Sequence, residues 1–115
     1  MALSSLEAAK KAAQAADEKS AEDILILEMA GISILADYFV ICSGSSTTQV
    51  NAIVKSITSE LEEEIELIRK EGTDSARWAV LDYGDVIVHV FHDEQREYYQ
   101  LENLWGDAER IEWKE

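Results

Sequence analysis

Proline is absent from this chain, and glycine occurs only five times in 115 residues. With so few breakers, a long disordered linker is not expected, and one compact domain suits the length. Cys42 is the only cysteine. No intrachain disulfide can form, which fits a reducing compartment, and inside the run Tyr38-Phe-Val-Ile-Cys42 it is best explained as a small buried hydrophobe. The uninterrupted apolar runs are far too short to cross a bilayer. Cations are scarce: 10 Lys and Arg stand against 24 Asp and Glu, giving a formal charge of −14. A polyanionic nucleic acid groove should repel such a chain, so no direct nucleic-acid recognition is expected. The electrostatic complement is a basic protein, with solubility as the plainer explanation of the same charge. Lys10 and Lys11 are offset by Glu7, Asp17 and Glu18, and no apolar segment follows. The N-terminus therefore does not resemble a secretory or organelle-targeting peptide, and a cytoplasmic location is expected.

What the chain does contain is enough apolar material, 47 % of residues, for a packed core. Ser4 and Glu7 have the spacing of a capping box, and an alanine-rich helix should run from there to about Glu18. Its apolar stripe (Leu6, Ala9, Ala13, Ala16) is thin, which predicts that residues 1–19 form a peripheral, loosely held helix. Asp23 to Met29 and Asp37 to Ser43 have the composition of strands, with a turn at Ala30-Gly31. After Ser43-Gly44-Ser45-Ser46 comes the strongest helical pattern. Val50, Ile53, Val54, Ile57, Leu61, Ile65 and Ile68 trace one face, most of the intervening positions from 60 to 66 are Glu, and Arg69 and Lys70 fall in the expected last turn before Gly72. Arg77 to Asp82 and Val86 to Phe91 should pair as a hairpin about Tyr83-Gly84. Val86-Ile-Val-His-Val-Phe91 has no polar face apart from His89, so it should be a central strand. A short helix after Asp93 should carry Arg96 and Tyr99, a turn should carry Leu101, Leu104 and Trp105, and Arg110 to Trp113 is a candidate edge strand. The expected fold is a single mixed α/β (α+β) domain with a four- to five-stranded sheet flanked by helices.

The chemistry-bearing groups are sparse. Gly44-Ser45 ahead of a capped helix is a weak anion-site signal that lacks the lysine of a phosphate-binding loop. The same junction is compatible with a nucleotidyltransferase, but that reaction needs a downstream pair of strand carboxylates for Mg²⁺, and only one strand-end acid, Asp82, follows. No phosphoryl transfer, catalytic residue, metal site or cofactor is expected. Asp82 and Asp85 flank the tight turn and are explained by turn capping, by cation binding or by contact with a basic partner. His89 suits a satisfied core position, and His92, at odd spacing on a strand, cannot share a metal with it. Trp78, Tyr83, Tyr98, Tyr99 and Trp105 cluster with Asp82, Arg96 and Glu102. They are either core residues or the anchors of a contact surface, since Trp, Tyr and Arg dominate interface hot spots.

Three separated strings carry a resemblance: Asp37-Tyr-Phe-Val-Ile-Cys-Ser-Gly-Ser-Ser46 with Gln49; Trp78-Ala-Val-Leu-Asp-Tyr-Gly-Asp-Val-Ile-Val-His-Val-Phe91; and Arg96-Glu-Tyr-Tyr-Gln-Leu-Glu-Asn-Leu-Trp105 with Asp107-Ala108. Together they resemble the ribosomal silencing factor (Iojap) family over roughly residues 20 to 108. The resemblance implies a nucleotidyltransferase-like fold without catalytic acids, a homodimer, and no enzymatic activity. It implies binding to protein fourteen of the large ribosomal subunit, which blocks small-subunit association and represses translation and ribosome assembly when nutrients are scarce. Without a transit-like extension, a bacterial member is expected. Mapped onto this chain, the partner-binding residues are Trp78, Asp82, Tyr83, Asp85, Arg96, Tyr99, Leu101, Glu102, Leu104 and Trp105. Two readings stand against it: a nucleotide-binding enzyme of nucleotidyltransferase type, and a dimerising adaptor for some other basic protein.

Overall fold

The computed structural model of the chain describes residues 3–32, 34, 36–94 and 109–113. Helix α1 (Ser5–Glu18) begins at the expected capping box: the Ser4 hydroxyl accepts the Glu7 N–H at 3.2 Å, and the Glu7 carboxylate accepts the Ser4 N–H at 3.1 Å. Hydrogen bonding from the Ser4 N–H first, and from its hydroxyl second, holds the Glu7 carboxyl below the usual carboxylate range. The helix is not loosely held. Ala8, Ala9, Ala12, Ala13, Ala15 and Ala16 are all buried, against helix α2 (Thr47–Leu61) and the sheet. Alanine has only a methyl group to keep neighbours apart, so a stripe that is thin in volume permits close backbone approach. The Ser56 hydroxyl accordingly reaches the Ala15 carbonyl at 2.9 Å.

The strands are β1 (Glu22–Glu28), β2 (Tyr38–Gly44), β3 (Arg69–Glu71), β4 (Trp78–Asp82), β5 (Val86–His92) and β6 (Glu109–Ile111). They form one sheet in the order β3-β4-β5-β2-β1-β6. Among the described residues only β2 and β5 run parallel, with α2 on the crossover that such a pair requires; the other neighbours are antiparallel. β5 is central, as its continuous apolar composition predicts. Val86, Val88 and Val90 face the helices together with Ile26, Val40, Cys42, Ala79 and Leu81. The alternate positions, Ile87 and Phe91, join Leu27, Phe39, Ile41 and Trp78 in a second cluster on the other face. Alternation along each strand thus supplies two cores from one sheet.

The second helix differs from its sequence pattern. It ends at Leu61, although the apolar face continues to Ile65 and Ile68. Glu60, Glu62, Glu63, Glu64 and Glu66 place like charges three and four residues apart at the negative end of the helix dipole, and both effects oppose continuation. Arg69 and Lys70, expected in a last helical turn, instead form β3 beside β4, and the sheet has six strands among the described residues rather than four or five. Ile68 is left 62 % exposed. Gly72 then takes φ +75°, and a Cβ there would overlap the Trp78 carbonyl, so this position requires glycine. The expected short helix with Arg96 and Tyr99 and the turn with Leu101, Leu104 and Trp105 lie outside the described residues.

Candidate partner-binding surface

Four of the ten residues assigned to a partner surface fall within the described structure: Trp78, Asp82, Tyr83 and Asp85. Arg96, Tyr99, Leu101, Glu102, Leu104 and Trp105 fall outside it. Trp78 and Asp82 occupy the two ends of β4 on the same face, roughly 13 Å apart at ~3.3 Å per residue. Trp78 is half-buried. Its ring stacks on cross-strand Phe91 with centroids 4.9 Å apart, and its indole N–H donates to His89 Nδ1 at 3.1 Å.

That bond fixes the histidine tautomer. Nδ1 accepts, so the neutral ring carries its proton on Nε2, which is buried and has no partner among the described residues. His89 is 8 % exposed, with Phe39 edge-on at 4.9 Å, and burial pushes its pKa down to about 4. It is a neutral core histidine that holds Trp78 in place, and it is not poised as a base near neutral pH.

The β4–β5 turn is built as the aspartates suggest. The Asp82 carboxylate accepts the Gly84 N–H at 2.8 Å, the Tyr83 N–H donates to the Val86 carbonyl at 2.9 Å, and Gly84 adopts φ +92°. Asp85 is exposed. Its carboxylate meets the Ser5 hydroxyl at 3.5 Å, while its carbonyl accepts the N–H groups of Asp37 and Tyr38. Tyr83 does not present its ring as the surface assignment requires. It is 5 % exposed and belongs to the helix-side core; its hydroxyl is buried without a partner among the described residues, and burial pushes its pKa up to about 12. Leaving such a hydroxyl unpaired typically costs about 1–3 kcal/mol.

Sequence reasoning passed over Ile32 and Ile34 and assigned Ile68 to the apolar face of α2, whereas all three are exposed at this end of the sheet. Ile34 is fully exposed, Ile32 is 47 % exposed, and Ile68 lies beside Gly84, with its N–H bonded to the Asp82 carbonyl. Ile32 and Ile34 follow the Ala30-Gly31 turn, and their apolar character in a connecting segment was the available signal. Exposed aliphatics next to Asp37 and Asp85 give this end both apolar area and negative charge.

The Gly44-Ser45 junction is already filled. The Ser45 N–H and hydroxyl both donate to Gln49 Oε1, at 2.7 and 3.0 Å, and Gln49 Nε2 donates to the carbonyls of Lys19 and Ser20. A phosphate would have to displace this side chain.

The family model described as "Ribosomal silencing factor during starvation" matches residues 2–115. The chain belongs to this family. The ribosomal silencing factor RsfS of Bacillus subtilis is 56 % identical over 100 residues, covering 86 % of this chain and 85 % of that one. A crystal structure of a protein from Bacillus halodurans superposes with a TM-score of 0.82 at 44 % identity, covering 93 % of this chain and 98 % of the other. An X-ray structure from Chromobacterium violaceum gives 0.87 at 32 % identity, over 90 % and 88 %. Relatives that carry the silencing-factor name are regulatory proteins rather than enzymes, and the mixed α/β domain is the fold of the family.

Proposed function

We propose that this silencing factor binds protein fourteen of the large ribosomal subunit and obstructs the face on which the small subunit docks, repressing translation during nutrient limitation. Family membership over residues 2–115 carries the reading. The chemistry of the sheet end supports it: exposed Asp85, the aliphatics Ile32, Ile34 and Ile68, and a strongly negative molecule suit a basic, partly apolar docking site. Half-buried Trp78 contributes at the other end of β4. Arg96, Tyr99, Leu101, Glu102, Leu104 and Trp105 extend the contact in this proposal, and Tyr83 backs it from inside. The factor works in the cytoplasm, as a homodimer, by occupancy alone.

Sedimentation tests this. Purified subunits mixed with excess protein should stay separate on a sucrose gradient, with the factor co-migrating with the large subunit. Normal formation of joined ribosomes in its presence removes the proposal. A nucleotidyltransferase reading is disfavoured by the Gln49 side chain that already occupies the Ser45 donors.

A further inference from the structure

Beyond the C-terminal end of α2 lies an open cleft of about 670 Å³, lined by Thr58, Ser59, residues 62–67 and Tyr83. Its size falls in the range of small-molecule sites, roughly 300–1,000 Å³. Three independent features converge on it. First, Glu62, Glu63, Glu64 and Glu66 line it, and Glu62, Glu63 and Glu66 have no ion pair among the described residues. Second, the α2 carbonyl terminus adds the negative pole of a 15-residue helix. Third, Tyr83, only 5 % exposed, forms part of the cleft wall, and its buried hydroxyl has no partner among the described residues. That oxygen can accept from an N–H donor that reaches the cleft wall. The cluster already receives one ammonium: Lys11 Nζ sits 3.5 Å from Glu64 and 3.8 Å from Glu60.

We infer that this cleft binds an elongated organic cation carrying primary or secondary ammonium groups, a polyamine, with Glu62, Glu63 and Glu66 pairing its charges and the Tyr83 hydroxyl accepting from one of them. The distribution of charge favours such a ligand over a metal ion. Among the described residues no three carboxylate, histidine or cysteine side chains converge closely enough to hold a metal. Carboxylates that line one cleft without converging on a point suit a ligand with several separated ammonium groups. The same chemistry could be delivered by lysine or arginine side chains of a basic protein, and the experiment separates the two sources.

The test is isothermal titration of spermidine into the full chain at fixed ionic strength, with amide chemical shifts followed in parallel. The expected result is one saturable site per chain, with shifts concentrated at residues 58–67 and 83. Glu62→Gln/Glu63→Gln/Glu66→Gln should weaken binding tenfold or more. Glu28→Gln/Glu109→Gln/Glu112→Gln removes equal charge at the opposite edge of the sheet and should change it less than twofold. Tyr83→Phe keeps the ring and should weaken binding several-fold while the amide spectrum remains folded. Tighter binding of spermidine than of an arginine-glycine heptapeptide identifies a free polyamine as the ligand; the reverse order identifies a protein side chain and overturns the polyamine assignment. Equal weakening by the two triple variants, or no saturation at millimolar spermidine, shows only diffuse counterion attraction and overturns the site.

Discussion

At the residue scale, His89 and Tyr83 show what periodicity reveals and what it does not. His89 interrupts an apolar strand of fixed alternation, so its burial was legible from Val86-Ile-Val-His-Val-Phe91 alone. Tyr83 sits in a turn, where no alternation says which way a ring points. Its neighbours' polarity suggested a surface position, yet the ring points into the helix-side core. The histidine has a measurable consequence. Its folded pKa of about 4 lies below the ordinary 6.5, so between those values the unfolded chain binds more protons. Stability is therefore complete above pH 6.5 and falls as pH drops toward 4, by about 3 kcal/mol from this group. Urea unfolding at pH 7.5 and 4.5 should show this loss, and His89→Phe should reduce the pH dependence. An equal slope in the variant would remove the histidine as its cause.

At the scale of elements, strand positions, both limits of α1 and the start of α2 were legible, and the C-terminal limit of α2 was not. β1, β2, β4 and β5 lie within a residue or two of their composition signals, because buried faces leave an apolar record, and the edge strand β6 was marked by Ile111 and Trp113. β3 left none: Arg69, Lys70 and Glu71 are all exposed, and a strand held only by its ladder to β4 has no hydrophobic pattern. The apolar face of α2 extended past its real end, and charge repulsion among the glutamates, which periodicity ignores, set the limit. Helix α1 errs the other way, since a count of apolar volume undervalues alanines that pack backbone to backbone. Two substitutions test these packings. Ala12→Leu adds volume to a site with no exposure and should destabilise by about 1–3 kcal/mol in chemical denaturation. Gly72→Ala must pay for a left-handed backbone and displace the Trp78 carbonyl, so a loss of about 2 kcal/mol or more is expected. A neutral Gly72→Ala would mean that β3 is not held against β4 by this turn.

At the scale of the whole molecule, composition made the sign of the charge legible but not where it would act. The sequence motifs placed the contact on the β4–β5 hairpin and the segment after it, while Ile32 and Ile34 left an unread signal in a connecting segment and the exposure of Ile68 emerged only in the fold. Net charge sets the long-range field, and a basic docking site should be found faster at low salt. Asp85 is a clean probe of that field near the proposed contact. Its side chain is exposed and meets only the Ser5 hydroxyl, at 3.5 Å, among the described residues, while the hydrogen bonds that tie the turn to β2 come from its carbonyl and survive any substitution. Asp85→Lys should therefore leave the thermal midpoint within a few degrees. It reverses one charge facing the partner, so the association rate with isolated large subunits should fall about tenfold at low ionic strength. The difference from the parent chain should shrink as salt is raised toward 0.5 M, because exposed charges are then screened over a few ångströms. Surface plasmon resonance on immobilised large subunits measures both quantities. An unchanged association rate at low salt, with the fold intact, would place the docking face away from this end of the sheet.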